Sequence, residues 1–313
     1  MAVFVNTNYS ALQGQRYLGN VQNQLTTPYQ RLSSGMRINS AKDDAAGLQI
    51  ADRLTSQING LNQGNRNASD GIALAQTVES GMDEISGMLQ KIRTLAVQAS
   101  NGTNTAEDKA ALSKEASSLA NEISRIAKQT TYGGKAILNG QRFDDTAIFS
   151  KAAQQGDAGK AGSITLQVGS NKGDTIKFTL ENMQFSVVGT RVDKDFATNY
   201  AGQDKIMAIA GSVITFKFSA SDPSEAIKLM DGMIGQVDAS RADLGALQNR
   251  LESSIRNQSN VAANEADARS RIRDADFAEE SANLSQQSII QQAAASMLMQ
   301  ANTRPQLGLS LLG

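Results

Sequence analysis

The stretch that decides the fold runs from Ile58 to Ala99 and reads INGLNQGNRNASDGIALAQTVESGMDEISGMLQKIRTLAVQA. Mostly apolar side chains recur in it at intervals of three and four residues, which is the spacing of a coiled-coil seam. The positions are Ile58, Leu61, Asn65, Ala68, Ile72, Ala75, Val78, Met82, Ile85, Leu89, Ile92, Ala96 and Ala99. We therefore predict one long helix from about residue 45 to residue 99.

The length of this helix predicts the shape of the molecule. At ~1.5 Å per residue it would span about 80 Å, whereas a compact globule of this chain length is only about 50 Å across. Five glycines lie inside it, each costing about 1 kcal/mol relative to alanine in a helix interior. We interpret them as points of close packing rather than as breaks; they are Gly60, Gly64, Gly71, Gly81 and Gly87.

Two further helical segments flank the middle of the chain. Thr105 and Asp108 form an approximate capping box before a second helix. Asp222 is a candidate N-cap for the third, with Pro223 at its first helical position. That helix continues in a strict pattern of threes and fours through Ile227, Met230, Ile234, Val237, Arg241, Leu244, Gln248, Leu251 and Ile255.

The middle of the chain, residues 141–221, is richer in Gly, Phe and Val. The stretch SITLQVGSNKGDTIKFTL, residues 163–180, alternates apolar and polar side chains on both sides of a Gly-containing turn, which predicts a β-hairpin. SVITFKFSA, residues 212–220, predicts another strand, and TYGGKAILNG, residues 131–140, predicts a glycine turn. The predicted fold class is mainly α: a long antiparallel coiled-coil or helical-bundle rod formed by both termini, with a small β-hairpin region in the middle.

Both ends of the chain carry an apolar seam and almost no charge. Arg16 is the one charged residue from Met1 to Gln30, and Arg304 is the one from Gln286 to Gly313. Two such helices would still leave apolar surface exposed, which marks an interface, although an ordinary core hairpin also explains the seams. The N-terminal seam contains Phe4, Ala11, Leu18, Val21, Leu25 and Leu32, and the C-terminal stripe contains Ile290, Ala294, Met297 and Ala301, with Leu298 beside it. We predict self-assembly through Leu18, Val21, Leu25, Ile290, Ala294, Met297, Leu298 and Ala301.

Pro28 interrupts the N-terminal seam. Because a proline inside a helix removes a backbone hydrogen bond, we expect a kink or a restart there, capped by Thr26 or Thr27.

A charged segment lies inboard of each end. The two segments are at matching distances from their termini, so we expect them to meet each other or neighbouring subunits. The candidate residues of this patch are Arg31, Arg37, Asp43, Asp44, Arg269, Arg271, Asp274 and Asp276.

Composition argues against several functional classes. The net charge is -1, so no basic excess points to nucleic acid. The chain has no Cys and no His, which removes thiol chemistry and the commonest metal ligand. The longest apolar runs are far shorter than the roughly 20 residues that span a bilayer. The first residues have no basic, apolar and cleavage regions of a secretory signal peptide. We expect no enzyme activity, no cofactor and no membrane insertion.

Three long segments carry a resemblance to a known family. RLSSGMRINSAKDDAAGLQIADRLTSQINGLNQGNRNASDGIALAQTVESGMDEI, residues 31–85, and LQKIRTLAVQASNGTNT, residues 89–105, resemble the N-terminal part of bacterial flagellin. Residues 249–313, beginning NRLESSIRNQSNVAANEADARSRIRDADFAEE, resemble its C-terminal part. The resemblance implies an inner coiled-coil domain from residues 1–43 and 269–313, a helical rod domain from residues 44–140 and 222–268, and a β-rich part or small outer insertion at residues 141–221.

The same resemblance implies a function and partners. The chain would be the structural subunit of the extracellular flagellar filament, used for motility and exported unfolded by the flagellar type III apparatus. Its partners would be other copies of itself, hook-associated and cap proteins, and an export chaperone at the C-terminus. Toll-like receptor 5 would contact Lys91, Leu95 and Glu115, although Lys91 and Thr94 stand where sensed members carry Arg and Glu.

Two other classes remain open at this point. An enzyme would have to use carboxylates alone, and the adjacent Asp43 and Asp44 diverge on a helix. A hook–filament junction protein shares the terminal helices, and electron microscopy of the purified protein would separate it from a filament subunit.

Overall fold

The computed structural model describes residues 7–141, 148, 161–202, 205–211, 213–219 and 222–310, with side chains as far as Thr303. The helices in the described ranges are α1 (Tyr9–Ser34), α2 (Ala45–Ala99), α3 (Ala106–Gln129), α4 (Phe185–Val192), α5 (Phe196–Asn199), α6 (Ser224–Arg273) and α7 (Phe277–Ser310). The strands are β1 (Thr131–Tyr132), β2 (Lys135–Ala136), β3 (Gly162–Gln167), β4 (Thr175–Leu180), β5 (Met207–Ala210) and β6 (Val213–Phe216).

The predicted fold class is confirmed: the protein is mainly α, with small antiparallel hairpins in its middle. The long helix has the predicted bounds and is unbroken. The chain divides into two compact units. The terminal unit contains Met1–Asn59 and Val261–Gly313, and the central unit contains Gly60–Asn260.

In the central unit α2 and α6 run antiparallel. Their polar contacts keep one register, because each step along α2 is matched by an equal step back along α6. Asn65 donates to Ser259, Arg241 forms an ion pair with Asp83 at 3.0 Å, and Arg93 forms one with Asp231 at 2.5 Å. The two polar members of the α6 seam, Arg241 and Gln248, thus both have partners on α2, since Gln248 donates to Glu79 at 2.9 Å.

The core of the central unit is one continuous cluster of buried side chains. It takes in the seams of α2, α3 and α6 and the middle of the chain. Leu251 of α6 is fully buried in it. The members with the largest buried side chains are Met82, Ile85, Leu89, Ile92, Ile123, Ile137, Leu138, Met183, Phe185, Phe196, Phe216 and Phe218.

Most of the glycines of α2 are points of close packing, as predicted. A Cβ on Gly64 would collide with the backbone oxygen of Val168 just after β3, and one on Gly71 would meet Leu166 of β3. Gly87 is different, because no atom lies within 4 Å of its would-be Cβ. The β3–β4 hairpin therefore lies against α2 where α2 has no side chain.

The middle of the chain forms three two-stranded antiparallel sheets. In the predicted hairpin Ile164 pairs with Phe178 and Leu166 with Ile176. β1 and β2 are joined by Gly133 and Gly134, both at positive φ, which is the geometry of a tight hairpin turn. The predicted strand at residues 212–220 appears as β6.

Polar side chains of α3 hold β6 in place. The hydroxyl oxygens of Ser113 and Ser117 accept the backbone N–H groups of Phe218 and Phe216 at 2.9 and 2.7 Å. Asn121 both donates to and accepts from the backbone of Ile214. These bonds satisfy an otherwise buried strand edge.

The helix caps largely agree with the sequence. Thr105 and Asp108 form the predicted capping box, with both reciprocal hydrogen bonds present. Asp222 accepts the N–H of Ser224 at 3.0 Å, so it caps α6 as predicted, although α6 begins one residue after Pro223.

The expected restart at Pro28 is wrong. α1 is continuous from Tyr9 to Ser34, and Pro28 is one of its buried residues. Thr26 does not cap a new helix; its hydroxyl donates back to the carbonyl of Gln22. Because the proline ring is packed in the helix interface, its burial offsets the one backbone bond that it removes.

Candidate functional site

The terminal unit pairs α1 with α7, as the seams at the chain ends predicted. On α1 the less exposed positions follow one another at threes and fours: Ala11, Gly14, Leu18, Val21, Leu25, Pro28 and Leu32. On α7 they are Glu280, Leu284, Gln287, Gln291, Ala294, Leu298 and Ala301. Phe4, the first position of the predicted seam, lies outside the described residues.

Three contacts fix the pairing as antiparallel. The side-chain amide of Asn8 donates to the carbonyl of Ala301 at 2.8 Å. A Cβ on Gly14 would stand 3.1 Å from Cδ1 of Leu298. At the other end of the pair, Arg31 and Glu280 form an ion pair at 2.8 Å.

Met297 does not face α1, which corrects the stripe expected at the C-terminus. Its side chain is 71% exposed, and Leu298 takes the inward position because Gly14 leaves room for it. The other stripe members divide: Ala294 is buried, and Ile290 and Ala301 are half-buried. Met297 instead borders a groove along one side of the helix pair.

Nine residues line the groove. Five of them are small, apolar or aromatic: Gly14, Tyr17, Ala294, Met297 and Ala301. It contains no charged side chain, and its polar members are Ser10, Gln13, Gln300 and Thr303. A groove of this composition accepts a neutral, partly apolar partner surface.

Exposed apolar side chains continue beyond the groove on both helices. α1 exposes Tyr9, Leu12, Tyr17 and Tyr29, and α7 exposes Phe277, Ile289, Met297 and Met299. No residue from Ser281 to Thr303 is charged. The terminal pair therefore presents an extensive neutral surface, of the kind that marks an interface.

The two charged segments do meet, mainly through the backbone. The N–H of Arg37 donates to the carbonyl of Arg273 at 2.7 Å, and its guanidinium donates to the carbonyl of Ile272 at 2.8 Å. The one ion pair that joins the predicted segments is Arg31 with Glu280. Only 8% of the Glu280 side chain is exposed. Glu280 is therefore an important member of the patch, although it was not among the predicted residues.

The aspartates of the patch accept hydrogen bonds from backbone N–H groups close to them in sequence. Asp43 accepts the backbone N–H groups of Asn39 and Ser40 at 3.1 and 2.9 Å. The bond from the Ser40 N–H is the main cause that lowers the pKa of Asp43. Asp44 accepts the N–H of Gly47 at the start of α2, and Asp276 caps α7 through the N–H of Ala278. Each carboxylate complements the positive end of a helix or turn.

The remaining members of the patch have one distant and two local partners. Arg269 donates weakly to the hydroxyl of Thr55 at 3.4 Å. Arg271 pairs with Asp267 one helical turn away, and Asp274 accepts from the hydroxyl of Ser270. Exposed pairs within one helix, such as Arg271 with Asp267, stabilise that helix little.

The residues predicted for receptor contact lie on consecutive helices. Lys91 of α2 and Glu115 of α3 are exposed, and Leu95 of α2 is half-buried against the central core. Thr94 is exposed and its hydroxyl donates back to the carbonyl of Gln90 at 3.0 Å.

In the part of the chain that the structure describes, no helix is both long and apolar enough to cross a membrane. Nor do His, Cys, Asp or Glu side chains gather in threes in a way that would hold a metal ion within those residues.

Known proteins with similar terminal helices were found by comparison of sequences. Residues 5–142 match the bacterial flagellin N-terminal helical region, and residues 227–312 match the bacterial flagellin C-terminal helical region. Flagellin B of Vibrio cholerae is 36% identical over 376 aligned residues, with all of both chains covered. Polar flagellin C of Vibrio parahaemolyticus is 35% identical, also over the full length of both.

A solved structure has a fold similar to that of this chain. A Vibrio parahaemolyticus protein described as flagellar hook-associated aligns with a TM-score of 0.55 over 74% of this chain and 100% of its own, at 16% identity. Similarity at that identity shows a shared fold alone, whereas the full-length relatives carry the family assignment. The chain therefore belongs to the bacterial flagellin family, whose members are structural subunits of the extracellular flagellar filament.

Proposed function

We propose that the neutral groove between α1 and α7 is where one subunit receives the next in the filament. The observation that carries the proposal is that this pair exposes apolar side chains on both helices with almost no charge. A charged partner would lose solvation on such a surface without gaining a counter-ion. The termini of another copy have the required neutral and apolar chemistry.

The geometry of such a contact determines the type of assembly. A surface that fits a different surface on the next copy gives a head-to-tail contact, which grows into an open helical array unless the rotation closes a ring. Leu18, Val21, Leu25, Ala294, Leu298 and Ala301 would hold each helix pair together, and Ile290 and Met297 would lie against a neighbour.

Polymerisation of the purified protein tests this proposal. Monomers seeded with short filament fragments should form pelletable polymer that electron microscopy shows as long filaments. A hook–filament junction protein would stay unpolymerised under the same conditions. Absence of filaments from seeded, folded monomer would contradict the proposal.

The further partners follow from the same surface. We infer export in an unfolded state by the flagellar type III apparatus, with a chaperone covering the apolar C-terminal helix before assembly. Hook-associated and cap proteins would meet the two ends of the filament. The functional division would place residues 1–43 and 269–313 in an inner domain, residues 44–140 and 222–268 in a helical domain, and residues 141–221 in a β-rich part.

Recognition by Toll-like receptor 5 would use the exposed side chains Lys91 and Glu115 with Leu95 between them. A lysine is a point charge, whereas an arginine presents a planar fork that binds carboxylates in two places. The double substitution Lys91→Arg with Thr94→Glu should therefore raise signalling by the monomer in a receptor reporter assay. Equal signalling from the parent and the double variant would count against this contact.

A further inference from the structure

The methionines of this protein fall into two sharply different environments. Six are buried in the central unit: Met82, Met88, Met183, Met207, Met230 and Met233. By contrast, Met297 and Met299 of α7 are 71% and 65% exposed. Met36 is half-buried, and Met1 lies outside the described residues.

Exposure decides which of these side chains an oxidant can reach. The thioether sulfur attacks a peroxide oxygen, the O–O bond breaks, and the sulfur gains that oxygen. For hydrogen peroxide the products are one sulfoxide and one water, so the sulfur loses two electrons and the peroxide gains them. A buried sulfur is shielded from this reaction, whereas Met297 and Met299 are open to it.

The two exposed methionines differ in what lies beside them. Met297 borders the neutral groove together with Tyr17 and Ala294. Met299 does not line that groove, and two residues along a helix turn the side chain to a different face. Met299 is thus a natural control with similar exposure and the same chemistry.

We infer that Met297 is an oxidation site that controls filament assembly, its sulfoxide blocking the groove to the next subunit. This inference rests on the proposed function of the groove. A thioether is apolar and adapts its shape to a neighbouring surface. Its sulfoxide carries a strong hydrogen-bond acceptor, which loses its water partners when a neighbour covers the groove. The change is reversible, because methionine sulfoxide reductases restore the thioether.

The site has a second consequence for the assembled state. In free monomer both Met297 and Met299 react with peroxide. In filaments a neighbouring subunit covers Met297, so this position becomes protected. Oxidation would therefore act on subunits before they are added to a filament rather than on the finished polymer.

The experiment uses the full-length monomer treated with dilute hydrogen peroxide. Peptide mass spectrometry should find sulfoxide at positions 297 and 299 and little at the six buried methionines. The critical concentration for seeded polymerisation should rise roughly tenfold. Burial of one unpartnered polar group weakens the association of subunits by about a factor of ten or more. Treatment with methionine sulfoxide reductases should restore it.

Two matched variants locate the effect. Met297→Leu keeps an apolar side chain of similar volume without an oxidisable sulfur, so peroxide should not change its critical concentration, whatever that value is before treatment. Met299→Leu should polymerise normally before peroxide and lose assembly after it, as the parent does.

Several results would overturn the inference. Normal polymerisation of parent protein carrying the sulfoxide at Met297 would do so, as would protection by Met299→Leu instead of Met297→Leu. Even spread of sulfoxide over the buried methionines would remove the structural basis of selectivity. Failure of untreated parent monomer to polymerise would overturn the proposed function itself, which separates the two cases.

Discussion

The terminal and central units differ in how completely each buries its own apolar surface. In the central unit one cluster of buried side chains extends from Ala68 to Leu251. In the terminal unit α1 buries only Val21 and Pro28, while tyrosines and methionines remain exposed. The same seam spacing therefore closes a core in the central unit and leaves a surface for a partner in the terminal unit.

Met297→Lys should have the largest effect, because it acts at every repeat of the polymer. In the free subunit the side chain is exposed, so the lysine is tolerated and circular dichroism stays unchanged. In the filament an ammonium without a partner would be buried in the groove, at a large desolvation cost. Seeded sedimentation should show no polymer.

The control for that variant comes from the central unit. Val213→Lys changes an exposed apolar residue of β6 in the same way, and we expect it to polymerise. Normal filaments from Met297→Lys would mean that α7 does not pack as proposed.

A pair of leucines compares the two units directly. Leu251→Ala removes a fully buried side chain of the central core and should lower the free energy of unfolding by about 2–5 kcal/mol. Leu18→Ala removes a half-buried one from the terminal pair and should cost only about 1 kcal/mol in the monomer. Denaturant unfolding of the full chain measures both, and equal losses would show that the two cores are alike.

Glycine substitutions in α2 test whether close packing explains the glycines of the central unit. Gly64→Ala would drive a Cβ into the backbone oxygen of Val168, so it should destabilise by about 1–3 kcal/mol. Gly87→Ala meets no atom within 4 Å and should stabilise by up to ~1 kcal/mol through helix propensity. Thermal unfolding distinguishes them. The same sign for both would remove close packing as the reason for Gly64.

The smallest effect concerns a capping carboxylate, which both units use. Hydrogen bonds, chiefly from the Ser40 N–H, lower the pKa of Asp43 below its ordinary 3.8. A lowered pKa means that the stabilisation is complete above that ordinary value and disappears as pH falls through the lower one. The melting temperature of Asp43→Asn should therefore lie slightly below that of the parent at neutral pH and converge with it in acid.

Asp108 of the central unit provides the comparison for that titration. Its pKa is also lowered, chiefly by the hydroxyl of Thr105, and Asp108→Asn should behave in the same way. A gap between parent and variant that widens on acidification, at either position, would contradict the assigned caps.

Sequence reasoning predicted most of the fold because much of it is local. The bounds of α2, the capping box at Thr105 and the β3–β4 hairpin each follow from spacing or turn residues within a short stretch. The strand β6 was predicted, but the packing of α4 and β6 was not, since it depends on aromatic side chains and on serines of α3 that are distant in sequence.

The candidate site was predicted less well, for a related reason. The stripes 290, 294, 297, 301 and 291, 294, 298, 301 have nearly the same spacing, and in the structure Gly14 lies opposite Leu298 of the second. Pro28 has a helix-breaking chemistry that packing overrides. We predicted that Asp43, Asp44 and Asp276 would pair with distant charges. In the structure each accepts a hydrogen bond from a nearby backbone N–H group instead.

Amide hydrogen exchange in free monomer and in filaments compares the two units within one molecule. We expect the amides of α2 and α6 in the central unit to be strongly protected in both states, because their core is complete in one subunit. The amides of α1 and α7 should exchange quickly in the monomer and become protected only in the filament. Equal and strong protection of α1 and α7 in the free monomer would contradict the claim that this pair is completed by a neighbouring copy.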